Sequence, residues 1–154
     1  MFKNILLSIF LIVFISNCGY SPINISQGNN SFYVSDIVYN GDAELNKLID
    51  RKLTRLSNKD NPKIISVDVD SKYSKSSLIK NSAGNTTQFL LQVQFKFEIT
   101  HKEKINNFLI IEEFVLKNLS DEYEERKYEK TIKNNLTSLV LEKLILQISR
   151  LEWF

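Results

Sequence analysis

Gln88-Phe89-Leu90-Leu91-Gln92-Val93-Gln94-Phe95-Lys96-Phe97-Glu98-Ile99 decides the fold of this chain. Phe89, Leu91, Val93, Phe95, Phe97 and Ile99 fall on one parity. Gln88, Gln92, Gln94, Lys96 and Glu98 fall on the other, with Leu90 as the one exception. Successive side chains of a strand point to opposite faces, so strict alternation over this length specifies a half-buried strand. One face meets a core and the other is polar, as in antiparallel sheets with one open side.

Reading outward from that strand, Asn81-Ser82-Ala83-Gly84 marks a hairpin turn, and Lys63–Lys80 is its extended partner. In that partner Ile65, Val67 and Val69 alternate with Ser66, Asp68 and Asp70. On the C-terminal side a second hairpin is expected at His101–Asn107, followed by a strand over Phe108–Leu119 that is apolar on both parities. Upstream, Phe32–Tyr39 is apolar on both parities and reads as a strand covered on both faces. Ala43–Leu56 places Leu45, Leu48, Ile49, Leu53 and Leu56 at helical spacing behind Asn40-Gly41-Asp42, whose aspartate can cap a helix. Asp121–Leu151 reads as a long terminal helix with a stripe of Ile132, Leu136, Leu139, Val140, Ile145 and Ile148. Its acidic start suits the positive end of the helix dipole.

The order is therefore β-α-β-β-β-α. The first strand–helix–strand unit calls for a right-handed parallel crossover, and the hairpins that follow are antiparallel. The expected fold class is α+β, a two-layer sandwich with a mixed four-stranded sheet and both helices on one face.

The N-terminus carries a different signal. Lys3 precedes an apolar run, Ile5–Ile15, and Ile15-Ser16-Asn17-Cys18-Gly19 ends it with the only cysteine of the chain. A basic start, a short apolar stretch and a small-residue exit describe a secretory signal peptide. An uncleaved anchor helix and an ordinary secretory peptide with an incidental cysteine are the rival readings. A bilayer core needs about 20 apolar residues, which this run does not reach. The segment resembles a bacterial lipobox. That resemblance implies cleavage before Cys18, a diacylglycerol on its thiol and an acyl chain on its new amine, with no other cofactor. The division that follows is a signal peptide over 1–17, a lipidated tether over 18–31 and a single α/β domain over 32–154. Gly19, rather than an aspartate after the cysteine, implies an outer-membrane location under the enterobacterial sorting rule.

With 20 basic and 18 acidic residues in 154, the charge is nearly balanced. A general nucleic-acid binder would show a basic stripe, so nucleic acid is not an expected partner. Catalysis finds little support either. His101 is the only histidine and is expected at the surface of a hairpin, without a nucleophile signature beside it. Asp68 and Asp70 are expected to face solvent, and the pairs Glu112-Glu113 and Glu124-Glu125 point different ways. No metal site and no enzymatic activity are expected.

Cys18-Gly19-Tyr20-Ser21-Pro22, the element order and the Tyr123-Glu124-Glu125 and Tyr128 entry to the last helix resemble the outer-membrane lipopolysaccharide-assembly lipoprotein family, LptE. The resemblance covers essentially the whole mature chain. It implies a protein that plugs and helps assemble the LptD β-barrel and contacts lipopolysaccharide on its way to the cell surface. The polar face bearing Gln88, Gln92 and Gln94 would meet the barrel, whose interior is polar. Lipopolysaccharide phosphates call for basic residues. The candidates are Lys72, Lys75 and above all Lys80, the basic residue just before the Asn81–Gly84 tip. Two other readings stay open: a pilot lipoprotein for a different outer-membrane channel, and a free lipid-binding lipoprotein.

Overall fold

The computed structural model describes residues 32–151, so the signal peptide, Cys18 and the tether lie outside the described residues. The elements are β1 (Tyr33–Gly41), α1 (Ala43–Leu56), β2 (Ile64–Lys80), β3 (Thr86–His101), β4 (Lys104–Lys117) and α2 (Glu122–Ser149). The sheet order is β1-β2-β3-β4, with β1 parallel to β2 and the other pairs antiparallel. This is the α+β architecture that the alternation and element order require.

The odd-numbered residues of β3 do what their parity dictates. Leu91, Val93, Phe95, Phe97 and Ile99 are all buried, and the Phe95 and Phe97 rings stack at 5.6 Å. Across the sheet they register with Val67 and Val69 of β2 through Val69↔Phe97 and Val67↔Ile99, and with Ile110 of β4 through Phe95↔Ile110. Leu45, Ile49 and Leu53 of α1 and Ile132, Leu136, Val140, Leu144 and Ile148 of α2 close the same core. Burying a large aliphatic or aromatic side chain stabilises by about 1.5–3 kcal/mol, and this one layer of packing is the main source of cohesion. Both helices therefore cover one face of the sheet, and among the described residues no element covers the other.

Caps and turns follow local chemistry. Asp42 accepts from Leu45 N at 2.9 Å at the start of α1, and Asp121 accepts from Tyr123 N at 2.8 Å at the start of α2. Asn81 Oδ1 accepts from Ala83 N and Asn85 N, which folds the β2–β3 tip, and Gly84 takes φ +82° there.

Four expectations change. β1 is an edge strand rather than a strand covered on both faces. A register shift between Val34 and Asp36 lets Val34, Ile37 and Tyr39 all pack against the core while Val38 is exposed. The β3–β4 connection is a two-residue turn, Lys102-Glu103, not a loop over His101–Asn107. His101 consequently lies within the sheet, buried, with Nδ1 2.7 Å from the Ile64 carbonyl oxygen, instead of at the surface. In α2, Leu139 is 42% exposed, and Leu141 and Leu144 take the core positions instead. A helix covering one side of a sheet needs only a narrow apolar stripe, so an extra leucine falls outside it.

Candidate functional site

The bare face of the sheet is left unused by the packing of the described residues. Ser66, Asp68, Asp70, Lys72, Ser74 and Ser76 of β2 register with Thr100, Glu98, Lys96, Gln94, Gln92 and Leu90 of β3. Gln88, Gln92 and Gln94 thus share this surface with Lys72, as their common parity requires. Gln92 Nε2 donates to Glu113 Oε1 of β4 at 2.6 Å, and Lys96 pairs with Asp70 at 3.8 Å. The centre of the face is polar and cross-linked.

Its margin is not. The outward parity of β4 carries Ile105, Leu109, Ile111 and Val115, each between 42% and 57% exposed. They line the outer side of a strand that, among the described residues, pairs only with β3, so its second edge offers backbone N–H and C=O groups with no described strand beside them. The sequence reading recognised apolar residues on both parities of this strand but not that one set would face outward.

The three candidate lysines do not share a surface. Lys80 is the last residue of β2 before the tip, exposed, with no side-chain hydrogen bond or ion pair among the described residues. Lys72 is exposed on the bare face and equally unengaged among the described residues. Lys75 belongs to the helix side. Its Nζ lies 2.7 Å from Glu125 Oε1 and 3.0 Å from Glu129 Oε2 of α2, and 4.4 Å from the centre of the Phe89 ring.

That pairing is part of a network joining β2 to both helices. Tyr73 Oη donates to Glu129 Oε1 at 2.6 Å, and Lys133 reaches Glu44 of α1 at 2.8 Å while lying 4.1 Å over the Tyr73 ring. Partial burial opposes the charge on Lys75, but hydrogen bonds to Glu125 and Glu129 outweigh it and raise its pKa. The Lys75 hydrogen bond is the main cause that lowers the Glu125 carboxyl below its ordinary range. For Glu129, desolvation works against ionisation and is overcome by hydrogen bonds from Tyr73 and Lys75. Burial, reinforced by Glu129, pushes the Tyr73 phenol well up. The network is a structural clamp: every charge in it has a partner. Elsewhere on the helix side, Lys143 of α2 pairs with Glu112 of β4. Glu112 thus faces inward and Glu113 outward, the divergence expected of adjacent strand residues.

Among the described residues no cluster of His, Cys, Asp and Glu could hold a metal ion, and no helix is long and apolar enough to cross a membrane.

No family model matches the chain, and no curated protein matches it in sequence. Solved structures do match. Rare lipoprotein B from Shewanella oneidensis superposes with a TM-score of 0.56 at 14% identity, over 76% of this chain and 98% of that one. This chain has the fold of rare lipoprotein B. Lipoprotein B from Nitrosomonas europaea carries the same arrangement, with a TM-score of 0.51 at 12% identity over 80% of this chain and 88% of its own. At such identities the likeness is one of backbone architecture, and the site residues rest on the geometry above.

Proposed function

We propose that this chain is a lipid-anchored outer-membrane lipoprotein that plugs and helps assemble a large β-barrel of the LptD type for lipopolysaccharide export. The observation that carries the reading is the uncovered sheet face, with a Gln92–Glu113 and Lys96–Asp70 centre and an apolar margin on β4. A four-stranded face with its own open edge suits a large partner, and a barrel lumen lined by polar side chains suits its centre. The fold shared with two lipoproteins and the Cys18-Gly19-Tyr20-Ser21-Pro22 start support the anchor. In this reading Cys18 carries the acyl chains, Gln88, Gln92 and Gln94 meet the barrel, and Lys80 and Lys72 offer free cations to lipopolysaccharide phosphates. Lys75 is the weakest of the three lysines for that role, because Glu125 and Glu129 already neutralise it.

The test is a mild-detergent purification of the tagged protein from its native envelope, followed by mass spectrometry. Stoichiometric recovery of an LptD-type barrel supports the reading. Recovery of the protein alone, or with another channel, overturns it and leaves the pilot or free lipid-binding lipoprotein.

A further inference from the structure

Two adjoining clefts, of about 280 and 220 Å³, are lined by residues of α1 and α2 along the seam between them. Leu56, Leu141 and Ile145 give the larger one an apolar floor, Lys52 and Arg55 of α1 line both clefts as a shared basic wall, and Arg51 lines the smaller one. Glu142 is the single carboxylate among the lining residues. Lys52 Nζ donates to Ser138 Oγ across the seam at 2.8 Å. Arg51 uses only its Nε, toward the Lys47 carbonyl, and Arg55 makes no side-chain bond among the described residues. One cation in the last turn of α1 would satisfy the helix dipole. Two beside an apolar floor and a third in the adjoining cleft exceed that need.

The location adds an independent argument. The described chain begins at Phe32, whose carbonyl accepts from Asn58 N at 3.2 Å, and Tyr33 N donates to the Lys63 carbonyl at 2.8 Å. The polypeptide therefore enters the fold directly beside the end of α1. Residues 18–31 can span at most about 50 Å when fully extended. If Cys18 is acylated, as the proposed function holds, the tether joins the domain beside the basic end of the α1–α2 seam, at the end of β2 opposite the β2–β3 tip, and its reach lets that end meet the membrane.

We infer that the α1–α2 cleft binds the headgroup of an anionic phospholipid in the leaflet that holds the anchor. Arg51 and Arg55 take the phosphate through their planar forks, Lys52 adds a point charge, and Leu56, Leu141 and Ile145 receive the first methylenes of an acyl chain. The site orients the domain on the membrane, with the bare sheet face turned sideways and the tip pointing away.

The experiment uses the full chain with a photoreactive benzoylphenylalanine at Asn134, on the cleft lining, or at Ser82, in the tip. Each protein is bound to vesicles of phosphatidylcholine with or without phosphatidylglycerol, irradiated, and examined by intact mass. The expected result is a phosphatidylglycerol adduct at residue 134, suppressed by salt and absent at residue 82. Arg51→Gln with Arg55→Gln should weaken occupancy about 30-fold at two lost charges near an anionic surface, with an unchanged circular-dichroism spectrum. Equal adducts with both lipids, equal adducts at both positions, or indifference to the two arginines overturns the inference. A protein adduct at residue 134 in native envelopes, with no lipid adduct, overturns it in favour of a protein partner. The intact mass of the wild type reports separately on Cys18. An unacylated cysteine retires the anchor, while the phosphatidylglycerol dependence at residue 134 still decides the cleft.

Discussion

A Cβ placed on Gly41 would stand 1.9 Å from the carbonyl oxygen of Ser71. That oxygen accepts from Asp42 N at 3.0 Å, and the buried Ser71 hydroxyl lies 2.7 Å from Asn46 Oδ1. The pair pins the corner where β1 hands the chain to α1, and Gly41 holds φ +89° to make the approach possible. Gly41→Ala should destabilise the fold by more than about 3 kcal/mol, because backbone must shift on both sides. Gly84→Ala is the control: it shares the positive φ but meets nothing within 4 Å, so it should cost only about 1 kcal/mol. Chemical denaturation of both variants measures the difference.

The Lys75–Glu125–Glu129 clamp predicts a pH dependence with a definite sign. Both carboxyls have folded-state values below the ordinary 4.5, so the unfolded chain takes up protons first. Their contribution is present above 4.5 and is lost as pH falls through the lowered values. Lys75 is raised above 10.5, so its share is present below 10.5 and is lost as pH rises past the raised value. Glu125→Gln with Glu129→Gln should therefore narrow its stability gap to the wild type as the pH drops below 4.5. A gap constant down to the acid transition would refute the clamp.

Lys102 occupies the left-handed region, with φ +54°, at the first position of a two-residue hairpin turn. A side chain there costs about 1 kcal/mol, and glycine removes that cost at some entropic penalty. Lys102→Gly should raise stability by about 0.5 kcal/mol in a denaturant titration.

Leu139 and Leu144 lie five residues apart on one helix, yet only the second is buried. Leu144→Ala should cost about 2–5 kcal/mol, and Leu139→Ala should stay within about 0.5 kcal/mol of the wild type. Thermal melts of the two variants separate them.

Lys80 and Lys72 have no intramolecular partner among the described residues to lose. Lys80→Ala with Lys72→Ala should leave stability within about 0.5 kcal/mol of the wild type and weaken capture of lipopolysaccharide in a binding assay. Lys75→Ala should behave oppositely, losing stability through the clamp.

Much of this fold could be read from residues whose local and global demands agree. The parity of Phe89–Ile99 and the 3–4 spacing of Leu45, Ile49 and Leu53 each specify an element and its buried face. What escaped the reading arises where local pattern and tertiary setting diverge. The bulge at Ser35 exchanges the parity of β1 midway, which no alternation rule anticipates. Lys102-Glu103 contains neither glycine nor asparagine, so the tight turn that buries His101 carried no signature. Glu125 is fifty residues from Lys75 in sequence, and only the docking of α2 against β2 brings them together. The site followed the same division. Gln88, Gln92, Gln94 and Lys72 were legible by parity as one face. The apolar margin and the α1–α2 cleft depend on which strand becomes the edge and on how two helices align.

β4 ends the sheet with a fourteen-residue strand, flanked by Lys104 and Lys117, whose outer side is apolar except at Asn107 and Glu113. Charges at the two ends and Glu113 discourage a second strand from adding there but leave the stretch from Phe108 to Ile111 without a charge. Copies made in excess of whatever covers that strand would be prone to pair with one another. If a partner covers that strand, as the proposed function holds, the tolerable abundance of this protein is tied to that partner's supply, and unmatched synthesis would lead to precipitation or proteolysis.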